Sequence, residues 1–367
     1  MRIVLLITDL EPGGAPLRIA RLARDMAASG VEVHVGCLAP PGPISRALEA
    51  DGVPTFACNA RGPRDLLTLR RLSRNLKRIR PDLIHATLTH ANVAARLAGR
   101  RLRIPVLTST ATIEVERRWH LTVERCTANM DRGHLVNSRA VARHVTHAFK
   151  IPPERVHLVP PSADIPRQMP DRAGARRSID ADLPPESFVI LWAGRFDPVK
   201  RIDIVVRCVE RIADRNCRLL LVGDGPERTR IESLVYDSPA RDRIHLLGWR
   251  DDLSPAFAAA DLLLFPSLTE GMPNVVLQAM AAGVPVVGGD IPALRELDDG
   301  QQRLVLVKDR SRPATDEAYA AAADLLMRDA AARNAMSARA AAWAREHLDP
   351  ARVLSAVLKI YRQTLDA

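Results

Sequence analysis

Short apolar runs closed by proline, glycine or an acid alternate along this chain with stretches whose apolar residues recur every three or four positions. Residues 3–7, an unbroken aliphatic run stopped by Asp9, predict a buried first strand. Asp9 to Ala15, with Gly13 and Gly14, predict a glycine turn into a helix with apolar residues at Leu17, Ala20, Leu22, Ala23 and Met26. Gly30 ends that helix, and Val31, Val33 and Val35 make a second strand, a Rossmann-type opening without a G-x-G-x-x-G fingerprint. Leu66, Leu69, Leu72, Leu76 and Ile79 space a helix, with Arg70, Arg71, Arg74, Lys77 and Arg78 on its outer face. A strand over Pro81 to His85, a helix from His90 to Arg101, a strand from Ile104 to Ser109 and a strand-then-serine segment at His134 to Ser138 continue the alternation.

A proline-punctuated stretch from Ile151 to Pro185 then marks a boundary. Beyond it the pattern resumes, with strands at Phe188–Ala193, Arg218–Val222, Ile244–Gly248 and Leu262–Phe265. Pro273 opens a helix through Val275 to Ala282 that ends at Gly283, and Val284 to Val287 form the next strand. Two Ala- and Arg-rich helices follow, residues 315–347 with a break near Asp329 and residues 350–365. The expected architecture is α/β: a Rossmann-like domain over 1–165, a second over 166–349, and a terminal helix near 350–367 returning to the first.

A chain of 367 residues exceeds one ordinary core, consistent with two domains. The five cysteines are odd in number, scattered and never spaced C-x-x-C, which argues for a reducing compartment and against a disulfide framework or zinc site. The opening apolar run is too short for a signal or spanning segment, so a cytoplasmic location is expected. The net charge is +10, and the window from Arg61 to Arg103 carries 12 Arg/Lys against Asp65 and Asp82. That surface suits an anionic lipid, a phosphorylated substrate or nucleic acid. Aromatics are only 4% of residues, which leaves little to stack on bases and argues against nucleic acid. The basic helix over 66–79 either docks to a bilayer or to a polyprenyl-diphosphate acceptor, or is a solvated face.

The chemistry concentrates between Asp261 and Asp290. The loop from Ser267 to Asn274 follows a parallel strand, where open α/β sheets bind ligands, and the helix start after Gly271 offers backbone donors to a phosphate. Glu270 in that loop repels a bare phosphate but accepts from hydroxyls, so the pair points to a ligand with both phosphate and polyol. Gln278, eight residues on, reaches a further hydroxyl from the second turn. Arg195 and Lys200, five residues apart after a strand, suit a departing nucleoside diphosphate.

The block from Ser267 to Ala282 with Gly283-Val284-Pro285 resembles the signature of retaining glycosyltransferases of the GT-B fold, family 4 or group 1. Gly194-Arg195 with Lys200, the Gly13-Gly14 turn, Pro81-Asp82-Leu83-Ile84-His85, Ile244–Gly248 with Trp249, and Arg295-Glu296-Leu297 resemble further steps of that family. The resemblance covers nearly the whole chain. It implies two Rossmann-like domains facing each other across a central cleft whose closure excludes water. It further implies retaining, metal-independent transfer from a nucleotide diphosphate sugar, with UDP the expected nucleotide and no cofactor. By resemblance Arg195, Lys200 and Glu270 are catalytic, and Gly13, Gly14, Gly271, Met272, Pro273, Asn274 and Gln278 bind the donor. The expected partners are that donor and a glycan or lipid-linked acceptor, with peripheral membrane association through the basic N-terminal domain. The chain departs from the family in three places. Gln278 replaces the second Glu of the Glu-x7-Glu pair, and Thr110 or Ala111 stands where many relatives carry a histidine. Val159-Pro160-Pro161-Ser162-Ala163-Asp164 keeps the Pro and Asp of the family's Ile-Pro-Asn-Gly-Val-Asp but not its Asn and Gly. His120 is a poor substitute for the missing histidine, and His85 and His90 read as structural. Asp180-Ala181-Asp182 has D-x-D form but lies in the linker, so it is not taken as a metal site. The rival readings are a non-catalytic nucleotide-sugar-binding protein, a GT-B epimerase or phosphorylase, and a nucleic-acid binder.

Overall fold

The computed structural model describes residues 1–62, 65, 67–113, 118–163, 169–179, 183–308 and 314–366. Leu66, Glu114, Asp164, Asp180-Ala181-Asp182 and the expected 165/166 boundary lie outside them. The chain divides into two compact units, residues 1–162 with 350–367, and residues 163–349.

Unit 1 runs β1 (Arg2–Ile7), α1 (Gly14–Ala28), β2 (Glu32–Cys37), α2 (Pro43–Ala50), β3 (Thr55–Ala57), α3 (Leu67–Ile79), β4 (Leu83–Thr87), α4 (Thr89–Leu102), β5 (Val106–Thr110), α5 (Arg118–Thr127), β6 (Gly133–Val136), α6 (Arg139–Ala148) and β7 (Val156–Leu158). Unit 2 runs α7 (Arg172–Ile179), β8 (Phe188–Ala193), α8 (Ile202–Arg211), β9 (Cys217–Val222), α9 (Arg228–Tyr236), β10 (Ile244–Gly248), α10 (Ser254–Ala259), β11 (Leu262–Phe265), α11 (Asn274–Ala282), β12 (Val286–Gly289), α12 (Pro292–Asp298), β13 (Val305–Val307), α13 (Asp316–Arg328) and α14 (Ala330–His347). The last helix, α15 (Pro350–Asp366), belongs to unit 1.

Among the described residues the sheets read β3-β2-β1-β4-β5-β6-β7 and β10-β9-β8-β11-β12-β13, and every pairing is parallel. Parallel strands need helical crossovers, and those cover both faces of each sheet. The strands are accordingly buried apolar runs, with Ile3 to Ile7 of β1 and Val189 to Trp192 of β8 wholly inaccessible. In each sheet the order reverses beside the first strand, between β1 and β4 and between β8 and β11. Ligands bind outside the carboxyl ends of the strands at such a reversal.

Several boundaries differ from the sequence reading. β12 begins at Val286 rather than at Val284, because Pro285 has no N–H for the ladder, and its carbonyl instead accepts from Leu263 N at 2.8 Å. β4 continues to Thr87, which places His85 in mid-strand rather than at its end, and β5 reaches Thr110. Pro273 is the N-cap of α11 rather than its first residue, and Asp329 separates α13 from α14 while accepting from Ala332 N at 2.8 Å.

Unit 1 carries a buried polar network on β5 and β6. Arg96 of α4 is fully buried and bonds Glu124 at 2.5 Å, Asp131 at 2.6 Å, Thr127 at 3.0 Å and Thr108 at 3.1 Å. His134 bonds Thr108 at 2.7 Å through Nδ1 and Thr110 at 2.9 Å through Nε2. Burial, with Arg96 nearby, holds its imidazole well below the ordinary value. His85 bonds the Tyr361 hydroxyl of α15 at 2.5 Å, and burial lowers its pKa from 6.5 to about 4.

Two histidines kept neutral when folded make stability depend on pH. Their folded pKa values lie below the unfolded value, so the stabilisation is complete above 6.5 and is lost as pH falls toward 4. His85 should cost roughly 2 kcal/mol between pH 7 and pH 5, given about 1.4 kcal/mol per pH unit, and His134 acts in the same direction. Urea unfolding at the two pH values measures this, and an equal midpoint at pH 5 and pH 7 would refute it.

Candidate functional site

In unit 2 the reversal between β8 and β11 determines which loops meet. After Ala193 the backbone passes Gly194 and exposed Arg195, then returns to the core at Phe196, which is 2% exposed. Phe196 N donates to Asp224 O at 2.8 Å, and Phe196 O accepts from Glu227 N at 3.1 Å, tying this turn to the one after β9. The Asp197 side chain accepts from Val199 N at 3.2 Å and caps a single helical turn, Pro198–Lys200, that ends in the lysine.

Opposite it, β11 gives way to buried Pro266 and Ser267, and Leu268 N donates to Val199 O at 2.9 Å. The two loops are thereby in register. Lys200 Nζ donates to Glu270 Oε1 and lies 5.8 Å from the centroid of the Phe265 ring. Both side chains are sheltered, at 22% and 12% exposed, so water screens the charges only in part. The lysine and the carboxylate that the sequence offers as separate groups are one hydrogen-bonded pair. Each keeps bonding capacity for a ligand: the second carboxylate oxygen accepts, and the ammonium has further donors.

The remaining donor-binding candidates divide by burial. Met272 is 7% exposed and its side chain packs in the unit 2 core. Gly271 and Pro273 are also buried, whereas Asn274 is half-buried at the positive end of α11. Gln278, one turn on from Asn274, is half-buried on the same face. Arg295 of α12 forks onto Asp290 at 2.5 and 2.8 Å, and Trp249 donates to Asp251 at 2.9 Å.

In unit 1, Gly13 caps α1 with an extended backbone, and exposed Gly14 is the first helical residue. A Cβ built on Gly13 would meet nothing nearer than Pro16 Cδ at 3.7 Å, so packing does not require glycine there. Of Thr110 and Ala111, the two candidates for the place of the missing histidine, Thr110 is bonded to His134. A pocket of about 90 Å³ lies between α1 and α15 over the ends of β4 to β7. It presents His85 Nε2 and Asn137 Oδ1, both buried and without a hydrogen-bond partner among the described residues. Arg18 also lines it, its pKa lowered by burial to about 10. Sequence reasoning missed Arg18 and Asn137, although each follows a recognised feature, Arg18 one turn after the glycine pair and Asn137 just after β6.

Two family models match the chain: Glycosyltransferase Family 4 over residues 12–167 and Glycosyl transferases group 1 over residues 187–329. A D-inositol 3-phosphate glycosyltransferase of Stackebrandtia nassauensis is 29% identical over 293 residues, 72% of this chain and 64% of that protein. The match thus spans just under two thirds of that relative's length. The UDP-Gal:alpha-D-GlcNAc-diphosphoundecaprenol alpha-1,3-galactosyltransferase of Escherichia coli is 24% identical over 257 residues, 65% of each chain. Anabaena HepE in complex with UDP superposes with a TM-score of 0.87 at 20% identity, over 99% of this chain and 100% of that one.

The glycines give a paired test. A Cβ on Gly223, where φ is +151°, would sit 1.8 Å from Gly194 O and force apart the turns that carry Arg195 and Lys200. Gly223→Ala should cost more than ~2 kcal/mol, whereas Gly13→Ala should stay within ~1 kcal/mol of wild type. Equal losses in the melting temperatures of the two variants would contradict this.

Proposed function

The chain belongs to the family 4, group 1 glycosyltransferases of the GT-B fold, and from that premise we propose that it transfers a glycosyl residue from a UDP-sugar to a hydroxyl of a lipid-linked glycan acceptor. The observation that carries the reading is the Lys200–Glu270 pair at the β8/β11 reversal, a cation and a polyol acceptor side by side on two interlocked loops. Glu270 accepts from hydroxyls of the donor sugar and so fixes its anomeric carbon relative to the bond that breaks. As the glycosyl–phosphate bond lengthens, negative charge grows on the diphosphate, and Lys200 and Arg195 stabilise it without a metal ion. Amides at the start of α11 add fixed dipoles, and Gln278 accepts from a ribose hydroxyl with a neutral oxygen.

UDP as the nucleotide is supported by the UDP complex of HepE and by the UDP-galactose enzyme of E. coli. A lipid-linked acceptor is supported by the diphosphoundecaprenol substrate in that enzyme's name. In unit 1, Asn137 Oδ1 and His85 Nε2 offer an acceptor and a ring nitrogen to acceptor hydroxyls. We infer retention of anomeric configuration from the family, and action at a membrane surface from the basic face of α3.

The test is nucleotide release from a panel of UDP-, GDP- and ADP-sugars in the presence of EDTA. A UDP-hexose should be consumed, with Glu270→Ala and Lys200→Ala each lowering kcat by roughly 10² to 10³. Gln278→Ala should raise the donor KM with kcat little changed, as expected for an interaction held equally in ground and transition states. Turnover of no donor, or full activity in Glu270→Ala, would sink the reading.

A further inference from the structure

A second cavity lies wholly in unit 1, and its chemistry differs from that of the donor loops. It is a groove of about 1240 Å³, larger than an ordinary small-molecule pocket and lined mainly by apolar groups. One end lies at the β1/β4 reversal, where Thr8 follows β1, Leu38 and Ala39 follow β2, and Thr89 begins α4. From there it passes between Leu69 of α3, Val93 and Leu97 of α4, and Trp119 and Val123 of α5.

The polar network fixes which face of α4 the groove receives. Asn92 and Arg96 point inward, Asn92 to Ser109 O at 3.1 Å and Glu124 at 3.0 Å, and Arg96 to its carboxylates. Val93 and Leu97, each one residue further round, are therefore turned toward the groove. Leu97 is 38% exposed and Trp119 50%, a large apolar outlay for a surface. Trp119 is held edge-on by His90, with ring centroids 5.4 Å apart.

The two ends of the groove are cationic. Exposed Arg61, just past β3, lines it near the strand tips; the Asp65 carboxylate that also lines this end is paired with Arg71 and accepts from Arg61 N at 3.1 Å. On α4, exposed Arg100 and Arg101 follow Leu97 by three and four residues, on the same helix face. Exposed Arg70, Arg74, Lys77 and Arg78 of α3 add to this field.

The geometry points to one occupant, the polyisoprenyl diphosphate of the acceptor. Its hydrocarbon chain lies between α3, α4 and α5, and its diphosphate lies at the strand tips beside Arg61. This rests on the reading of the chain as a transferase to a lipid-linked acceptor, and it assigns that lipid to a place and to residues. An apolar chain needs a dry channel, a diphosphate needs cations at one end of it, and the groove supplies both.

Farnesyl diphosphate is a suitable probe, read through Trp119, the one tryptophan of unit 1. It should change the tryptophan emission with saturation, and Trp119→Phe should abolish the change. Leu97→Asp and Arg61→Ala should each raise the Kd at least tenfold while leaving the thermal shift produced by UDP unaltered. Farnesol and inorganic diphosphate should each bind at least tenfold more weakly than the joined molecule. No saturable change, or equal affinity in Leu97→Asp, would overturn the assignment. Transfer to undecaprenyl-diphosphate-linked sugars that is indifferent to Leu97 and Arg61 would remove the groove and leave the transferase. Tight farnesyl diphosphate binding with no transfer from any UDP-sugar would do the reverse.

Discussion

The reversal of strand order beside β8 is the constraint on which the rest of unit 2 depends. Right-handed crossovers from β8 toward β9 and from β11 toward β12 leave on opposite faces of the sheet, so the loops after β8 and β11 part at their starts and leave a crevice. What occupies such a crevice is set by the first few residues of each loop. Here one loop is pulled down by Phe196 and capped by Asp197, and the other is tied to it by the bond from Leu268 to Val199. These bonds hold the two loops so that Lys200 and Glu270 are within hydrogen-bonding reach of each other. The close approach of Gly223 to Gly194 locks the same turn from the β9 side.

Unit 1 solves a different problem with a buried charge. Removing Arg96, Glu124 and Asp131 from water is expensive, and an apolar replacement of equal volume is often no less stable. What the network provides is orientation. Arg96 is bonded from four directions, so α4 cannot rotate about its axis, and Asn92 repeats the restraint one turn earlier. The same network engages Thr110 through His134. The half-buried Thr110 hydroxyl at that strand end is thus already bonded to the network.

The alternation of elements was legible because parallel strands buried on both faces write themselves as unbroken apolar runs; Phe188–Ala193, Leu262–Phe265 and Ile244–Gly248 coincide with observed strands. The three-residue strands β3, β7 and β13 were not visible, since three residues carry no period and their pairing is decided by the neighbouring strand. Glu270, Lys200 and Arg195 were legible as residue types at strand ends. Their pairing was not, because it depends on a contact across 70 positions that only the strand order creates. Met272 lies inside a recognisable motif, and that its side chain packs in the unit 2 core was not legible there. The groove escaped for a related reason: Val93 and Leu97 sit in an ordinary apolar pattern, and the polar residues that turn them outward come from β5, α5 and the turn before β6.

The charge count around the Glu270 loop gives the glutamine at 278 a physical meaning. Arg195 and Lys200 are set against Glu270 and against Asp197, which caps the Lys200 turn, so these charges balance before the helix dipole of α11 is added. On the proposed reading a carboxylate at 278 would add a negative charge and repel a diphosphate held at the same helix. The amide keeps an acceptor for a ribose hydroxyl and spares the site that repulsion, while giving up the stronger, charge-assisted bond to the ribose. In the proposed mechanism Lys200 divides its protons between Glu270 and the leaving group, so any gain in phosphate binding loosens its grip on the carboxylate that orients the sugar. On that reading the two loops form one device, in which neutralising the leaving group and holding the sugar draw on the same ammonium.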